Sequence, residues 1–334
     1  MTTGTITYLD SADVDRLCAG LPVVDLVHET LLAFHRKEAG LFPETGLHWT
    51  TPSGASARSL ILPAWSGDRY GCKIINASLG NQRLGLPRAA GLIVLNDPET
   101  ARPVCVMAGG RISALRTAAV SVAAVRAVRD LADITSVAFL GCGRQAEVHL
   151  ELLTPACPNL TEVLLYDVDR TRAVRLAERG PNRAVVDRPH DAVAAARLSV
   201  AVTTTTESYV ELDWVPAGGT FVNVSLDDAA ESLLLGCDHL FVDDWDLVTG
   251  DDHRLLGVLA RAGRVSGPAE PAPEGGRAVD ADLPTLLSGG YPRRIAAGDR
   301  VVINPFGMGV HDIALAAAVY GGAIRQGIGR SLPR

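Results

Sequence analysis

The chain has 334 residues, of which 47% are apolar and 21% charged. At roughly 150 residues per domain this predicts about two domains, each able to bury a core without metal or disulfide help. Its 31 basic residues against 38 acidic ones give a formal net charge of -7, which argues against a nucleic-acid partner, since phosphate-backbone binders display a basic excess. Six scattered cysteines with no C-x-x-C spacing, and eight histidines in no ligand pattern, argue against a disulfide framework and a metal centre.

The opening MTTGTITYLDSADVDRL lacks the basic start and apolar run of a secretory signal, and no stretch approaches ~18 uninterrupted apolar residues. A soluble, cytoplasmic protein with no membrane partner is therefore expected. Residues 5 to 9 predict a strand, Asp10 or Ser11 a helix cap, and residues 22 to 38 an amphipathic helix. From Arg58 to Asp97 the short apolar runs SLILPAW, YGCKIINASL and AAGLIVLND, split by Gly, Asn and Pro, predict a mostly antiparallel sheet, which residues 102 to 109 extend.

The Ala-rich run from Ser113 to Leu131 predicts a long helix connecting two domains. Beyond it the pattern changes to strand and helix in alternation, with strands expected at SVAFL, EVLLYDVD, LSVAVTTTT, FVNVSL, HLFVDDW and RVVINPFG. GPAEPAPEGG, from Gly267 to Gly276, reads as a surface loop, and HDIALAAAVYGGAIRQG as a helix that returns to pack elsewhere.

The sharpest local signal is Gly141-Cys142-Gly143-Arg144-Gln145-Ala146, set between a strand and a helix. The first glycine permits a tight turn and the second lets backbone amides approach a pyrophosphate. Ala146 takes the place of a third glycine where helix and strand pack closely. The helix amino terminus then faces the anionic phosphates. About twenty residues on, the next strand ends in Asp167, placed to accept hydrogen bonds from ribose hydroxyls as in NAD-preferring sites, while Arg170 nearby keeps NADP open. The fold class expected is α/β, with a Rossmann-type doubly wound parallel sheet following an α+β domain, and the cofactor expected is NAD.

Lys37 and Lys73 are the only lysines in the chain. Lys37 lies in a polar helix end, but Lys73 sits in the apolar strand GCKIINAS, where a cation requires a partner. It is a candidate for holding a carboxylate or for moving protons beside an amine or imine. Arg116, early in the Ala-rich helix, offers a rigid fork for a carboxylate or, equally, a surface ion pair. Asp227 and Asp228 follow the strand FVNVSL, at the end of a parallel strand where such sheets place ligands; they are an acid or base candidate or a helix cap. Asp243 and Asp244 read as structural.

Taken together, KIINAS with Lys73, ISALRTAAVS with Arg116, GCGRQAEVHL, FVNVSLDD with Asp228 and GMGVHDIALA resemble the ornithine cyclodeaminase and mu-crystallin family over nearly the whole chain. The resemblance implies a homodimer. It also implies a substrate-binding and dimerisation domain at residues 1–118 plus 305–334, with a NAD-binding Rossmann domain at 119–304 inserted between. Within the family, GNQRLGLPRAAGLIVLND looks most like the N-(2-amino-2-carboxyethyl)-L-glutamate dehydrogenases of diaminopropionate biosynthesis, a branch tied to siderophore or peptide-antibiotic pathways. For that branch the resemblance implies Lys73 and Asp228 as catalytic residues, with Arg88 and Arg116 binding the substrate. Gly141, Gly143, Arg144, Gln145, Ala146 and Asp167 would bind the cofactor. The alternatives are an ornithine or lysine cyclodeaminase, a mu-crystallin-like NADPH and small-ligand binder, and a ketimine reductase. Two departures stand out. GLHWTTPSG carries Gly46 and His48 where cyclodeaminases place a carboxylate-binding arginine, and His311-Asp312 replaces an acidic pair, so only Asp312 carries over.

Overall fold

The computed structural model describes residues 4–333 and divides them into two compact units. One comprises the chain up to Arg116 together with the segment from Met308 onward, and the other runs from Thr117 to Gly307. The helix Gly110–Val128 carries the chain from the first to the second.

The first unit is built on an eight-stranded sheet. In spatial order its strands are Arg330–Pro333, Thr5–Leu9, Pro103–Ala108, Ala89–Asn96, Arg69–Ser78, Ser56–Ser66 and Ala39–Leu41, with Thr45–Thr50 also paired to Ser56–Ser66. The pairing is antiparallel apart from Thr5–Leu9 beside Pro103–Ala108, so the mostly antiparallel expectation holds. The short connections explain it, since hairpins join neighbouring strands directly. Asp10 caps the helix Ser11–Cys18 by accepting from the amides of Ala12 and Asp13 at 3.0 Å. The closing helix Gly309–Gln326 does return: it packs on Ser56–Ser66, Arg69–Ser78 and Ala89–Asn96 and against the helix Val23–His35.

The second unit is built on an eight-stranded sheet that is parallel throughout: Arg183–Val185, Glu162–Tyr166, Ser136–Leu140, Leu198–Ala201, Thr220–Asn223, Val301–Asn304, His239–Val242 and Ala281–Asp282, in that spatial order. Every residue of Ser136–Leu140, Leu198–Ala201, Thr220–Asn223, His239–Val242 and Val301–Asn304 is buried. This is why those strands read as unbroken apolar runs rather than alternating ones. The order reverses beside Ser136–Leu140, whose neighbours are Glu162–Tyr166 on one side and Leu198–Ala201 on the other. Ligands of such sheets settle at the carboxyl ends of the strands at that reversal.

The helix expected over residues 22 to 38 spans Val23–His35, and both ends of the long helix also differ from the sequence reading. The long helix begins at Gly110 and stops at Val128 rather than running from Ser113 to Leu131. The amide of Ser113 already bonds the carbonyl of Gly109, and Asp130 opens a separate short turn by accepting from Ala132. Among the described residues, no single helix is long and apolar enough to cross a membrane.

Candidate active site

The glycine loop leaves the end of Ser136–Leu140 and enters the helix Arg144–Ala156. Gly141 adopts φ +91°, a conformation open to glycine, and a β-carbon there would lie 2.8 Å from the carbonyl oxygen of Val202. Gly143 is different in kind: its φ is −88° and a β-carbon would meet nothing within 4 Å. The space a side chain would fill is open there, at the amino terminus of a 13-residue helix, which is the cradle an anionic phosphate needs. Ala146 is fully buried, Arg144 pairs with Glu147 at 3.2 Å, and the buried Gln145 Oε1 has no hydrogen-bond partner among the described residues.

Asp167 braces this loop. Its Oδ2 accepts from the amide of Cys142 at 2.7 Å and its Oδ1 from the amide of Asp169 at 2.9 Å. Each carboxylate oxygen keeps a second lone pair for a ribose hydroxyl. Arg170, which would meet a 2′-phosphate, is instead paired with Asp187. Burial pushes the Cys142 thiol up to about 12, with Asp167 adding to the effect, so Cys142 is a packing group rather than a nucleophile.

Asp228 lies fully buried in the same unit, beyond the end of Thr220–Asn223. Three hydroxyls donate to its carboxylate: Thr203 Oγ1 at 2.9 Å, Tyr209 Oη at 2.9 Å, and Ser225 Oγ. Desolvation raises its pKa against those three donors, with Asp227 adding repulsion. Leu226, in the turn that delivers it, adopts φ +76°, an unusual conformation for a bulky side chain and one that clusters at functional sites. Asp227 points elsewhere and pairs with Arg254. The structural reading of Asp243 and Asp244 holds. Asp243 accepts from the amides of Phe306 at 2.8 Å and Gly307 at 2.6 Å, and Asp244 caps the helix Trp245–Gly250.

In the other unit, Lys73 is 1% exposed. Its Nζ donates to Asp312 Oδ2 at 2.6 Å and reaches Ser113 Oγ at 3.5 Å, while Arg116 Nε lies 3.5 Å from the same Asp312 oxygen. Burial lowers the Lys73 pKa to about 8; repulsion from Arg116 pushes the same way, and Asp312 opposes both. His311 is wholly buried beside these groups and, among the described residues, neither ring nitrogen has a hydrogen-bond partner; burial first and Arg116 second hold its pKa down to about 3. Asp312 Oδ1 is likewise without a hydrogen bond among the described residues. Two cations, a neutral imidazole and a spare carboxylate oxygen thus converge, a set suited to a substrate that is at once anionic and an amine.

Arg88 is half-buried, directly before the strand Ala89–Asn96. Asp312 and His311 enter as members of the Lys73 group, and Thr203, Tyr209 and Ser225 as the donors to Asp228. The signal for the first pair was the acidic-pair departure near the end of the chain. For the hydroxyls, only the threonine run after Leu198–Ala201 hints at a polar cluster.

The sequence profile of the ornithine cyclodeaminase/mu-crystallin family matches residues 12–327. The chain is 29% identical over 287 residues to the N-((2S)-2-amino-2-carboxyethyl)-L-glutamate dehydrogenase of Staphylococcus aureus, covering 82% of each. It superposes on the crystal structure of CmnK with a TM-score of 0.90 and 32% identity, covering 98% of both chains. An archaeal alanine dehydrogenase, solved as a dimer with bound NAD, shares the fold at a TM-score of 0.83 and 22% identity over 98% of this chain and 99% of that one.

Proposed function

The chain belongs to the ornithine cyclodeaminase/mu-crystallin family, and from that premise we propose that it is a NAD-dependent dehydrogenase cleaving N-(2-amino-2-carboxyethyl)-L-glutamate to L-2,3-diaminopropionate and 2-oxoglutarate. The observation that carries this reading is the buried meeting of Lys73 and Arg116 on Asp312, with hydrogen-bonding capacity left over at His311 and Asp312. A substrate with three carboxylates calls for several cations, and Lys73, Arg116 and Arg88 supply them. Its likeness to the Staphylococcus aureus enzyme supports the choice within the family.

The glycine loop, Gln145 and Asp167 would hold NAD, which when bound accepts the hydride from the glutamyl α-carbon. Asp228 takes the proton of the substrate amine as the C–H bond breaks and the C=N bond forms, returns it to the imine nitrogen, and then, a carboxylate again, draws a proton from the water that adds to the imine carbon. Rupture of the C–N bond releases the diamino acid and the 2-oxo acid, so atoms and charge balance with one NAD reduced and one proton freed. Tyr209, Thr203 and Ser225 hold the Asp228 carboxylate in place for both steps. Lys73 and Arg116 fix a substrate carboxylate, which orients the α-hydrogen. The diamino acid would feed siderophore or peptide-antibiotic assembly.

A second copy of the chain is the proposed partner. All six residues of Thr45–Thr50 are exposed, with Leu47 at 70% and Trp49 at 47%, and Leu84 is exposed at 72%. Leu47 and Trp49, two positions apart on one strand, share a face, and exposed apolar side chains on one face support an interface there.

The test is the appearance of reduced nicotinamide absorbance with purified protein, NAD and N-(2-amino-2-carboxyethyl)-L-glutamate, with ornithine and lysine in parallel and products identified by mass. Reduced nicotinamide matched mole for mole by 2-oxoglutarate supports the dehydrogenase. Proline or pipecolate with ammonia, and no net reduction, makes the protein a cyclodeaminase.

A further inference from the structure

Two asparagines end adjacent parallel strands of the second unit: Asn223 closes Thr220–Asn223 and Asn304 closes Val301–Asn304, with Val222 opposite Ile303 in the register. Both side chains are fully buried. Asn223 Nδ2 donates to Asn304 Oδ1 at 2.6 Å, whereas Asn223 Oδ1 and Asn304 Nδ2 have no hydrogen-bond partner among the described residues. Turning both amides over exchanges which residue carries which group, and the remainder stays the same: one carbonyl oxygen and one NH₂ group. A pin between two strands needs only the bond already made. An apolar pair would fill the space without burying two more polar groups, which are costly to leave unpaired.

A primary carboxamide presents the complementary set, one carbonyl oxygen and one NH₂. The sheet order says where such a group would come from. With a pyrophosphate at the glycine loop and an adenosine ribose toward Asp167, on the Glu162–Tyr166 side, the other half of a dinucleotide runs the opposite way, across the ends of Leu198–Ala201 and Thr220–Asn223. Strands lie about 4.8 Å apart, so Asn223 stands roughly 10 Å along the sheet from the loop, the reach of a ribose and one ring. We infer that Asn223 and Asn304 together bind the carboxamide of the nicotinamide ring and so set which face of the ring is presented to the substrate. They are positioning residues for the cofactor. The inference rests on the NAD reading above but not on the identity of the substrate.

The experiment is equilibrium binding of NAD and of ADP-ribose, which lacks the nicotinamide, measured by titration calorimetry on the wild type, Asn304→Ala and Asn223→Ala. Either variant is expected to bind NAD about tenfold more weakly, with ADP-ribose affinity unchanged within about twofold. Retained ADP-ribose binding also certifies that the variant is folded. The 3-acetylpyridine analogue, in which a methyl replaces the NH₂, should bind the wild type more weakly than NAD, and Asn223→Ala should narrow that gap. Equal weakening of NAD and ADP-ribose in both variants would reduce the pair to a strand pin and overturn the inference, as would no change in either. A wild type that binds ADP-ribose but shows no added affinity for NAD overturns it too. Failure of the wild type to bind either ligand refutes the NAD reading itself.

Discussion

Lys73 Nζ and Asp312 Oδ2 stand 2.6 Å apart although 239 positions separate them in the chain. The pair is almost entirely withdrawn from water, and Arg116 shares its carboxylate. A buried ion pair adds little net stability over an apolar pair, but removing one partner strands the other charge. Asp312→Ala leaves Lys73 facing Arg116 without its hydrogen-bonded carboxylate, Glu44 being the weaker attraction that remains, and is expected to cost about 3 kcal/mol in urea unfolding. Lys73→Met leaves Asp312 beside Arg116 and should cost clearly less, while abolishing turnover.

The Lys73 ammonium is also expected to set an alkaline limit. With its pKa lowered to about 8 by burial, the free protein loses this cation as pH rises through that value. kcat/KM for an anionic substrate should fall above pH about 8, and Lys73→Arg, if it binds substrate at all, should lose that limb. Stability moves the other way. Between pH about 8 and 10.5 the unfolded chain keeps a proton that the folded chain has released, so unfolding free energy gains from this group as pH rises through the window.

Gly141 and Gly143 separate shape from contact. Gly141→Ala forces φ +91° on a side chain and a collision with the Val202 carbonyl, so a loss of about 2 kcal/mol in thermal unfolding is expected. Gly143→Ala meets no protein atom. It should leave the unfolding midpoint unchanged and weaken NAD at least tenfold, as read by calorimetry.

Asp228→Asn should reduce turnover by roughly 10²- to 10⁴-fold with NAD affinity retained, the range for removing a general base. Tyr209→Phe gives a finer test, because it deletes one of the three donors that favour the carboxylate over its protonated form. The acid limb of the pH–rate profile should then move to higher pH, with the plateau lowered far less than in Asp228→Asn. An unmoved limb would remove Tyr209 from the machinery.

His311 and His149 predict acid sensitivity. Burial holds them down at about 3 and about 4 respectively, while the unfolded chain takes up protons near pH 6.5. The folded state therefore binds fewer protons in this window, and stability is lost as pH falls from about 6.5 toward 4. His311→Gln should flatten the dependence of the urea midpoint on pH over that range by about one proton; a slope equal to wild type would contradict the assignment.

What could be read ahead of the fold followed the strength of the periodic signal. Ser136–Leu140, its glycine turn and the helix after it were legible because a buried parallel strand, a left-handed glycine and an amphipathic helix each leave a distinct pattern. Lys73 was legible as a cation in an apolar strand, yet its partner was not, since nothing local links residues so far apart. Thr45–Thr50 went unread because all six residues are exposed and show no burial alternation. Arg330–Pro333 ends in proline and is exposed throughout. The short helices Glu231–Gly236, Trp245–Gly250 and Leu255–Arg261 span fewer than two full turns or barely that, too few for a helical period to declare itself.

The discontinuity of the first unit has a consequence for how the protein is made. A ribosome delivers Thr117–Gly307 as one uninterrupted block, free to collapse as soon as it emerges. The earlier-made strands must wait for the helix Gly309–Gln326 to cover their apolar face, and Thr5–Leu9 must wait for Arg330–Pro333 to close its edge. Until then Lys73 has no Asp312 to meet. A nascent chain stalled near residue 307 would therefore carry a finished parallel-sheet unit and an open, uncovered sheet, which is the state a chaperone would be called on to shield.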